Sequence, residues 1–267
     1  MTQTSGHDGY DTDLSDREWE LLKPFVPEPR PGPNPAKVDR RSIINALLYI
    51  DRTGVQWRNL PKSFPKWQLV YHYFYVWKKD GTLDTMRECL IPILREREGR
   101  SPEPTAAIVD SQSVKTTESG GPRGYDAGKK VKGRKRHILV DVLGCVLAFL
   151  ITTADVQDRD AGAKLIRMAK REYPTLRKVW VDSAYNGPVI KTAQQDTGVE
   201  IQVVPRPANT NTFVLLPKRW KVEQLFGWNN RERRMSKDFE RTLSSSAAWI
   251  NLACIRRMVR TIAASCI

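Results

Sequence analysis

The first hundred residues carry short apolar stripes at helical spacing, separated by breaks rich in proline and glycine. A capping box, Ser15 to Glu18, opens the first predicted helix. The second is predicted from Asp39 to Arg52 and ends at Gly54. Further helices are predicted over residues 65–79 and 83–97. This pattern indicates a small all-α, helix-turn-helix-like domain over residues 14–98, preceded by a disordered tail over residues 1–13.

The rest of the chain changes to short apolar runs typical of strands. Two runs, over residues 107–109 and 178–181, each stop on an aspartate. Residues 137–153 predict a hairpin turning at Leu143-Gly144, whereas residues 116–136 hold five glycines, lack an apolar pattern and predict a basic loop. Further elements are predicted as helices over 161–172, 188–196, 218–234 and 244–263 and a strand over 200–204. The order predicts an α/β domain with a mixed sheet over residues 105–267.

Charge separates the two parts of the chain. The formal net charge is +14, and residues 101–267 hold 28 basic and 16 acidic side chains. A surplus of this size favours a polyanionic partner, because each neutralised phosphate releases counterions. A basic protein without such a partner is the alternative.

Other features narrow the class of protein. No apolar run approaches the ~20 residues of a membrane span, and the first residues lack a signal-peptide pattern. Cys89, Cys145, Cys254 and Cys266 are widely spaced, which favours free thiols in a reducing cytoplasm. Only three histidines occur, which argues against a zinc site or a histidine-based triad. We therefore expect a cytoplasmic, nucleoid-associated protein with no membrane partner.

Three acids stand out as candidate metal ligands. Asp110 and Asp182 follow the two apolar runs, and Glu223 lies in a predicted helix. Two divalent ions about 4 Å apart can activate an attacking oxygen and neutralise a leaving oxygen of a phosphodiester. Hard carboxylate ligands suit Mg²⁺ or Mn²⁺. Taken singly, each aspartate is better explained as a turn former or cap, and Glu223 as an ion-pair partner of a nearby base.

A second acidic cluster precedes the helix predicted over residues 161–172. Asp155, Asp158 and Asp160 are most simply its capping residues. A fourth acid near the metal ions remains the alternative for one of them.

The motifs around these acids resemble the bacterial insertion-sequence DDE transposases of the insertion sequence five family. The resemblance covers residues 14 to 264 and rests on Val109-Asp110-Ser111-Gln112-Ser113, Val181-Asp182-Ser183-Ala184-Tyr185 and Arg219-Trp220-Lys221-Val222-Glu223. It implies an RNase H-like catalytic domain and an N-terminal domain that binds the terminal inverted repeats of a mobile element. The family's Tyr and Lys seven residues either side of the glutamate are replaced by Leu216 and Asn230.

The resulting hypothesis is a DDE transposase. Asp110, Asp182 and Glu223 would hold two Mg²⁺ (or Mn²⁺) ions, the ends would be cleaved by metal-activated water, and the 3′-hydroxyls would be joined to target double-stranded DNA. The family also implies a homo-oligomer on paired ends. Alternatives are a metal-dependent DNA nuclease and a catalytically silent DNA-binding regulator. The candidate DNA-binding residues are Lys66, Lys78, Lys79, Lys129, Lys130, Lys132, Arg134, Lys135, Arg136, Arg219, Lys221 and Arg231.

Overall fold

Four helices form the N-terminal part of the protein. The computed structural model describes residues 9–28, 38–204 and 220–264. The helices are α1 (Asp16–Leu22), α2 (Arg40–Thr53), α3 (Trp67–Lys79) and α4 (Thr82–Arg97). The predicted disordered tail lies largely outside the described residues.

Local sequence signals set the ends of these helices, as predicted. The Ser15 N–H donates to Glu18 Oε2 at 2.7 Å, and the Glu18 N–H donates to Ser15 Oγ at 3.3 Å. Asp39 caps α2 by accepting from two backbone N–H groups of its first turn. Gly54 ends α2 in the left-handed region, with φ of 69°.

A six-stranded mixed sheet forms the centre of the C-terminal part. The strands are β1 (Ala106–Lys115), β2 (Gly124–Asp126), β3 (Val131–Asp141), β4 (Val146–Thr153), β5 (Lys178–Val181) and β6 (Glu200–Val203). The helices around them are α5 (Asp158–Glu172), α6 (Pro188–Thr197), α7 (Trp220–Arg231) and α8 (Leu243–Ala264).

The strand order is β2-β3-β1-β5-β6, and β4 also pairs with β3. β3 runs antiparallel to β1, β2 and β4, whereas β1, β5 and β6 run parallel. The predicted mixed sheet is therefore confirmed.

The β3–β4 hairpin turns where its sequence predicts. Gly144 adopts φ of 87°, and Asp141 Oδ1 accepts from the N–H groups of Leu143 and Cys145 at 2.9 and 2.8 Å. These bonds satisfy the turn's backbone donors.

The prediction of a loop over residues 116–136 is wrong for the C-terminal part of that segment. β2 lies within this segment, and β3 begins at Val131 rather than near residue 137. Gly133 allows β3 to lie close to β1, because a Cβ atom there would stand 2.0 Å from the Val114 carbonyl oxygen. The start of β3 buries charged rather than apolar side chains, so apolar alternation could not reveal it.

Helix α8 connects the two parts of the protein. It packs against α4, α1, α2 and α3, and Trp249 stacks on Phe74 with ring centroids 4.8 Å apart. One cluster of buried apolar residues extends from Leu14 to Ile262. A buried ion pair between Arg95 on α4 and Asp141 on β3 joins the same two parts. The division into domains at residues 14–98 and 105–267 stays a prediction.

Among the described residues, no helix combines the length and the hydropathy needed to cross a bilayer.

Candidate active site

Asp110 lies on β1, and Asp182 directly follows the neighbouring parallel strand β5. The last pair of the β1–β5 ladder is Ile108 with Trp180, and continuing that register by two residues brings the two aspartates side by side. Asp182 follows the last residue of β5, as predicted. Asp110 lies inside the ten-residue β1, so its predicted place at a strand end is wrong. It is nevertheless half-exposed, because β5 has ended beside it.

The buried ring of Tyr185 shows that these acids share one region. Tyr185 is 1% exposed, and burial, followed by the charges of Asp110, Asp158 and Asp182, raises the pKa of its hydroxyl well above the ordinary value. Three carboxylates therefore act electrostatically on the same hydroxyl. The Tyr185 N–H donates to the Asp182 carbonyl oxygen at 3.1 Å, which folds the chain back after β5.

A buried charged network lies beneath this edge of the sheet. Lys135 Nζ is 3.3 Å from Asp126 Oδ2 and 3.1 Å from Asp158 Oδ1. Burial opposes ionisation of Asp126, but hydrogen bonds from Ser113 Oγ and the Lys129 N–H, with the charge of Lys135, lower its pKa to about 2. Lys135 therefore neutralises carboxylates and is held away from the surface.

His137 belongs to the same network. Burial lowers the pKa of its imidazole to about 4, although the nearby charge of Asp158 acts in the opposite direction. Its Nε2 lies 3.0 Å from Thr152 Oγ1. The ring is therefore neutral at physiological pH and is not a cation for DNA.

The predicted capping role of the second acidic cluster is wrong for Asp158. Helix α5 begins at Asp158, its N-cap is Gln157, and no side chain caps it. Asp158 instead pairs with Lys135 and contributes to the field on Tyr185. Helical periodicity could not show this, because Lys135 is on another element.

Glu223 lies in the first turn of α7, on the face that follows β1. Asn230, two turns later on that face, accepts from Gln112 Nε2 at 3.1 Å. Further along, the Asp238 N–H donates to the Lys115 carbonyl oxygen at 2.9 Å. Asn230 and Asp238 thus contact β1 at Gln112 and Lys115, in the same order along both segments.

The donor set is suited to a hard divalent cation, although no complete cage is preformed. Within the described ranges, no group of three or more His, Cys, Asp or Glu side chains is placed to hold a metal ion. Mg²⁺ commonly takes one or two protein carboxylates and completes its shell with water and substrate phosphates. Adjacent Asp110 and Asp182 meet that requirement.

The candidate DNA-binding residues divide by exposure. Arg134 is fully buried, with Nη1 2.9 Å from Asp238 Oδ1, and Lys135 and Arg136 are also buried. Their predicted place on a surface loop is corrected, because β3 places them inside the protein. Exposed candidates are Lys66, Lys79, Lys129, Lys130, Lys132 and Arg231, and half-exposed ones are Lys78 and Lys221. Arg219 lies outside the described residues.

Lys129 is an exposed base that contacts β1 near the acidic edge, the end of the parallel strands at which Asp110 and Asp182 lie. Its Nζ donates to the Ser111 carbonyl oxygen at 2.8 Å and lies 3.2 Å from Ser111 Oγ. Lys129 therefore fixes a positive charge at Ser111, the residue that follows Asp110 on β1.

The mixed sheet and its surrounding helices are those of an RNase H-like domain, with Asp110 and Asp182 as candidate site residues at one end of its parallel strands. The family model described as "Transposase DDE domain" matches residues 101–258, and "Putative transposase of IS4/5 family" matches residues 14–87. The chain therefore belongs to the DDE transposase family, in the IS4/5 group. This confirms the predicted family.

Several relatives share part of the chain. The putative transposase for insertion sequence element IS402 of Burkholderia cepacia is 29% identical over 154 residues, which cover 55% of this chain and 71% of that protein. An uncharacterized 16.2 kDa protein of the same element is 27% identical, over 40% of this chain and 76% of its own length. The uncharacterized protein y4sN of Sinorhizobium fredii is 34% identical over 27% of this chain, and the match spans 58% of that relative.

Two solved structures show a weak similarity. The Mos1 mariner paired end complex with Mn has a TM-score of 0.34 at 12% identity, covering 93% of this chain and 83% of that one. The Mos1 strand transfer complex has a TM-score of 0.28 at 12% identity, covering 90% and 81%. Similarity at this level places no ligand on this protein.

Proposed function

We propose that this protein binds the terminal inverted repeats of its mobile element, cleaves the element's ends and joins the freed 3′-hydroxyls to target double-stranded DNA. The observation that supports the proposal is the β1–β5 register, which when continued by two residues sets Asp110 level with Asp182, in a chain that matches the DDE transposase domain. A catalytic site requires acids held by rigid elements, and a strand or the residue directly after it provides such a position.

Asp110, Asp182 and Glu223 would hold two Mg²⁺ or Mn²⁺ ions. Such ions, when bound, supply activation of the attacking oxygen and neutralisation of the leaving oxygen of the phosphodiester. Glu223 comes from a helix rather than from the sheet, so its approach depends on how α7 lies along β1.

The chain's own residues position these acids and offset their repulsion. Lys129 places an ammonium group at Ser111, the residue after Asp110, and Lys135 pairs with Asp126 and Asp158. Cations close to a group of carboxylates offset part of the repulsion between those carboxylates. The buried ring of Tyr185 lies in the same region as Asp110, Asp158 and Asp182.

DNA would lie across the exposed bases. Lys66 and Lys79 lie on or beside α3 of the helical part, while Lys129, Lys130 and Lys132 are exposed between β2 and β3 and at the start of β3. Contacts from such side chains to phosphates position a duplex without reading its sequence. Lys78, Lys221 and Arg231 complete the proposed DNA-binding set, together with Arg219.

Pairing of two ends implies at least a dimer on DNA. Light scattering after size-exclusion chromatography, with and without duplex ends, measures this. We expect a mass of two or more chains with DNA, and a single chain on each duplex would contradict the proposal.

The catalytic test combines purified protein, Mg²⁺ or Mn²⁺, a duplex carrying the element's ends and a supercoiled target. We expect joined product from the unmodified protein. Loss of a ligand should lower its yield by more than about 100-fold, the upper end of the effect of outer-shell partners. Asp110→Asn, Asp182→Ala and Glu223→Gln are the test variants.

Glu200→Gln is the matched control. Glu200 is exposed and begins β6, so it lies at the opposite end of the parallel strands from Asp182. It should retain joining. Joining preserved in Asp182→Ala would refute the ligand assignment. Cleavage without joining would favour a nuclease, and binding without cleavage a regulator.

A further inference from the structure

A cavity lined with arginines lies where α7 meets α2 and α8. Its volume is about 260 Å³, and Glu232 is the single acid among the described residues that line it. The cavity therefore carries an excess of four positive charges. Its five arginines are Arg52, Arg231, Arg256, Arg257 and Arg260.

The wall of this cavity contains buried donors without acceptors. Asn229 is 3% exposed and Arg256 is 5% exposed. Among the described residues, neither Asn229 Nδ2 nor Arg256 Nε has a hydrogen-bond partner. A buried donor left unpaired costs about 1–3 kcal/mol. A ligand rich in acceptor oxygens would remove that cost.

Two carboxylates neutralise only part of this charge. Glu18 Oε1, which lies outside the lining, is 3.6 Å from Arg260 Nε. Glu232 is shared between Arg52, whose Nη1 is 3.5 Å from Oε1, and Arg256, whose Nη1 is 3.4 Å from Oε2. Arg257 lies over the Trp228 ring at 4.9 Å from its centroid. Stacking fixes that guanidinium without neutralising its charge.

The cavity lies at the C-terminal end of α7, where the helix dipole opposes anion binding. The last carbonyl groups of α7 carry partial negative charge, which disfavours an anion. Arg52 Nη1 donates to the Arg231 carbonyl oxygen at 3.0 Å and offsets part of that charge. The charges of five guanidinium groups exceed the roughly half charge of a helix end.

We propose that this cavity binds a phosphate of the DNA backbone. Guanidinium groups bind phosphate oxygens bidentately, and the unpaired donors of Asn229 and Arg256 suit an acceptor-only group. The side chains of Arg52 and Arg260 are 45% and 44% exposed, so a polyanion can reach the cavity from solvent.

A DNA source is favoured over a free phosphate by the cavity's place on the molecule. Residues 228–231 follow Glu223 by roughly 8–12 Å along the axis of α7. One duplex at the acidic edge can therefore also reach the cavity. The inference rests on the proposed function, since it takes DNA as the substrate. It adds contacts from α2 and α8 to the same DNA backbone that α7 contacts.

The principal test is duplex binding by fluorescence anisotropy over a series of salt concentrations. Arg52→Gln/Arg260→Gln should weaken binding about tenfold, because two charge-assisted contacts are lost. The slope of log K against log salt should become shallower by roughly one to two. Arg100→Gln/Arg171→Gln removes the same charge from exposed positions outside the cavity and should leave both quantities almost unchanged.

A second variant changes binding in the opposite direction. Glu232→Gln removes the competing carboxylate and should tighten duplex binding several-fold, an effect that misfolding cannot imitate.

Thermal melting of each variant with and without inorganic phosphate distinguishes DNA from free phosphate as the source of the bound phosphate group. We expect no rise in melting temperature with inorganic phosphate, since one free phosphate lacks the neighbouring contacts of a duplex.

The outcomes separate the two proposals. If the unmodified protein binds duplex but the cavity and control variants behave alike, the cavity inference is overturned and the proposed function stands. A phosphate-induced rise in melting temperature that only the cavity variant loses, without a change in duplex binding, overturns DNA as the source. Absence of duplex binding by the unmodified protein overturns both.

Discussion

His137 illustrates how burial sets chemistry at the scale of a single residue. Its folded pKa of about 4 is below the ordinary value of 6.5, so the unfolded chain binds a proton that the folded one rejects. The contribution of the neutral imidazole to the free energy of unfolding is fully present above pH 6.5 and is lost as the pH falls through 4. We expect chemical denaturation to show a loss of up to roughly 3 kcal/mol over this interval.

His137→Asn provides the comparison, because it removes the titrating ring. The variant should lose less stability than the unmodified protein between pH 6.5 and 4. Parallel losses in both proteins would show that other groups determine the acid response.

Substitution of Gly162 tests the packing of Tyr185 near the candidate site. A Cβ atom there would stand 2.5 Å from Tyr185 Cδ1, inside contact distance of a buried ring. Gly162→Ala should therefore displace Tyr185 and destabilise the protein by about 1–3 kcal/mol, measured by urea denaturation. Gly227→Ala, on α7 with open space around its Cβ position, should be neutral or stabilising. Equal effects of both substitutions would contradict the proposed clash.

Helix α1 gives a test at the scale of an element. Its seven residues are too few to be stable alone, so the capping box at Ser15 contributes to holding its first turn. Ser15→Ala should cost about 1 kcal/mol in the free energy of unfolding, and Ser15→Thr should retain most of it. If threonine failed to restore stability, the loss would not come from the cap.

The start of strand β3 could not be predicted from its sequence pattern. Its start, with Gly133, Arg134 and Lys135, is charged and glycine-containing, which is atypical of a buried strand. Asp238, 104 residues further along the chain, pairs with Arg134 and makes burial possible. Removal of one partner of a buried pair is strongly destabilising, since it leaves an uncompensated charge.

At the scale of the whole molecule, α8 makes the two parts one folded unit. It supplies Trp249 to the aromatic cluster of the helical part and Asn251 to Arg87 at 2.9 Å. We expect a chain ending at residue 242 to lose cooperative unfolding and to expose apolar surface. Calorimetry and binding of a hydrophobic dye measure this, and a cooperative transition retained by the truncated chain would show that α8 is dispensable.

Short-range patterns account for much of the fold. The helices of the N-terminal part, the hairpin at Gly144, the strand before Asp182 and the family motifs around the acids follow from periodicity, caps and local turns. These signals act over a few residues, so the sequence carries them directly.

The remaining features depended on contacts between distant residues. Examples are the buried start of β3, the pairing of Asp158 with Lys135, the packing of α8 and the arginine cavity, in which Arg52 bonds a carbonyl 179 residues away. By itself, the sequence determined which residues form most elements and which acids were candidates. Only the tertiary structure decided which charges are buried, paired or left facing a cavity, because desolvation and pairing depend on spatial neighbours.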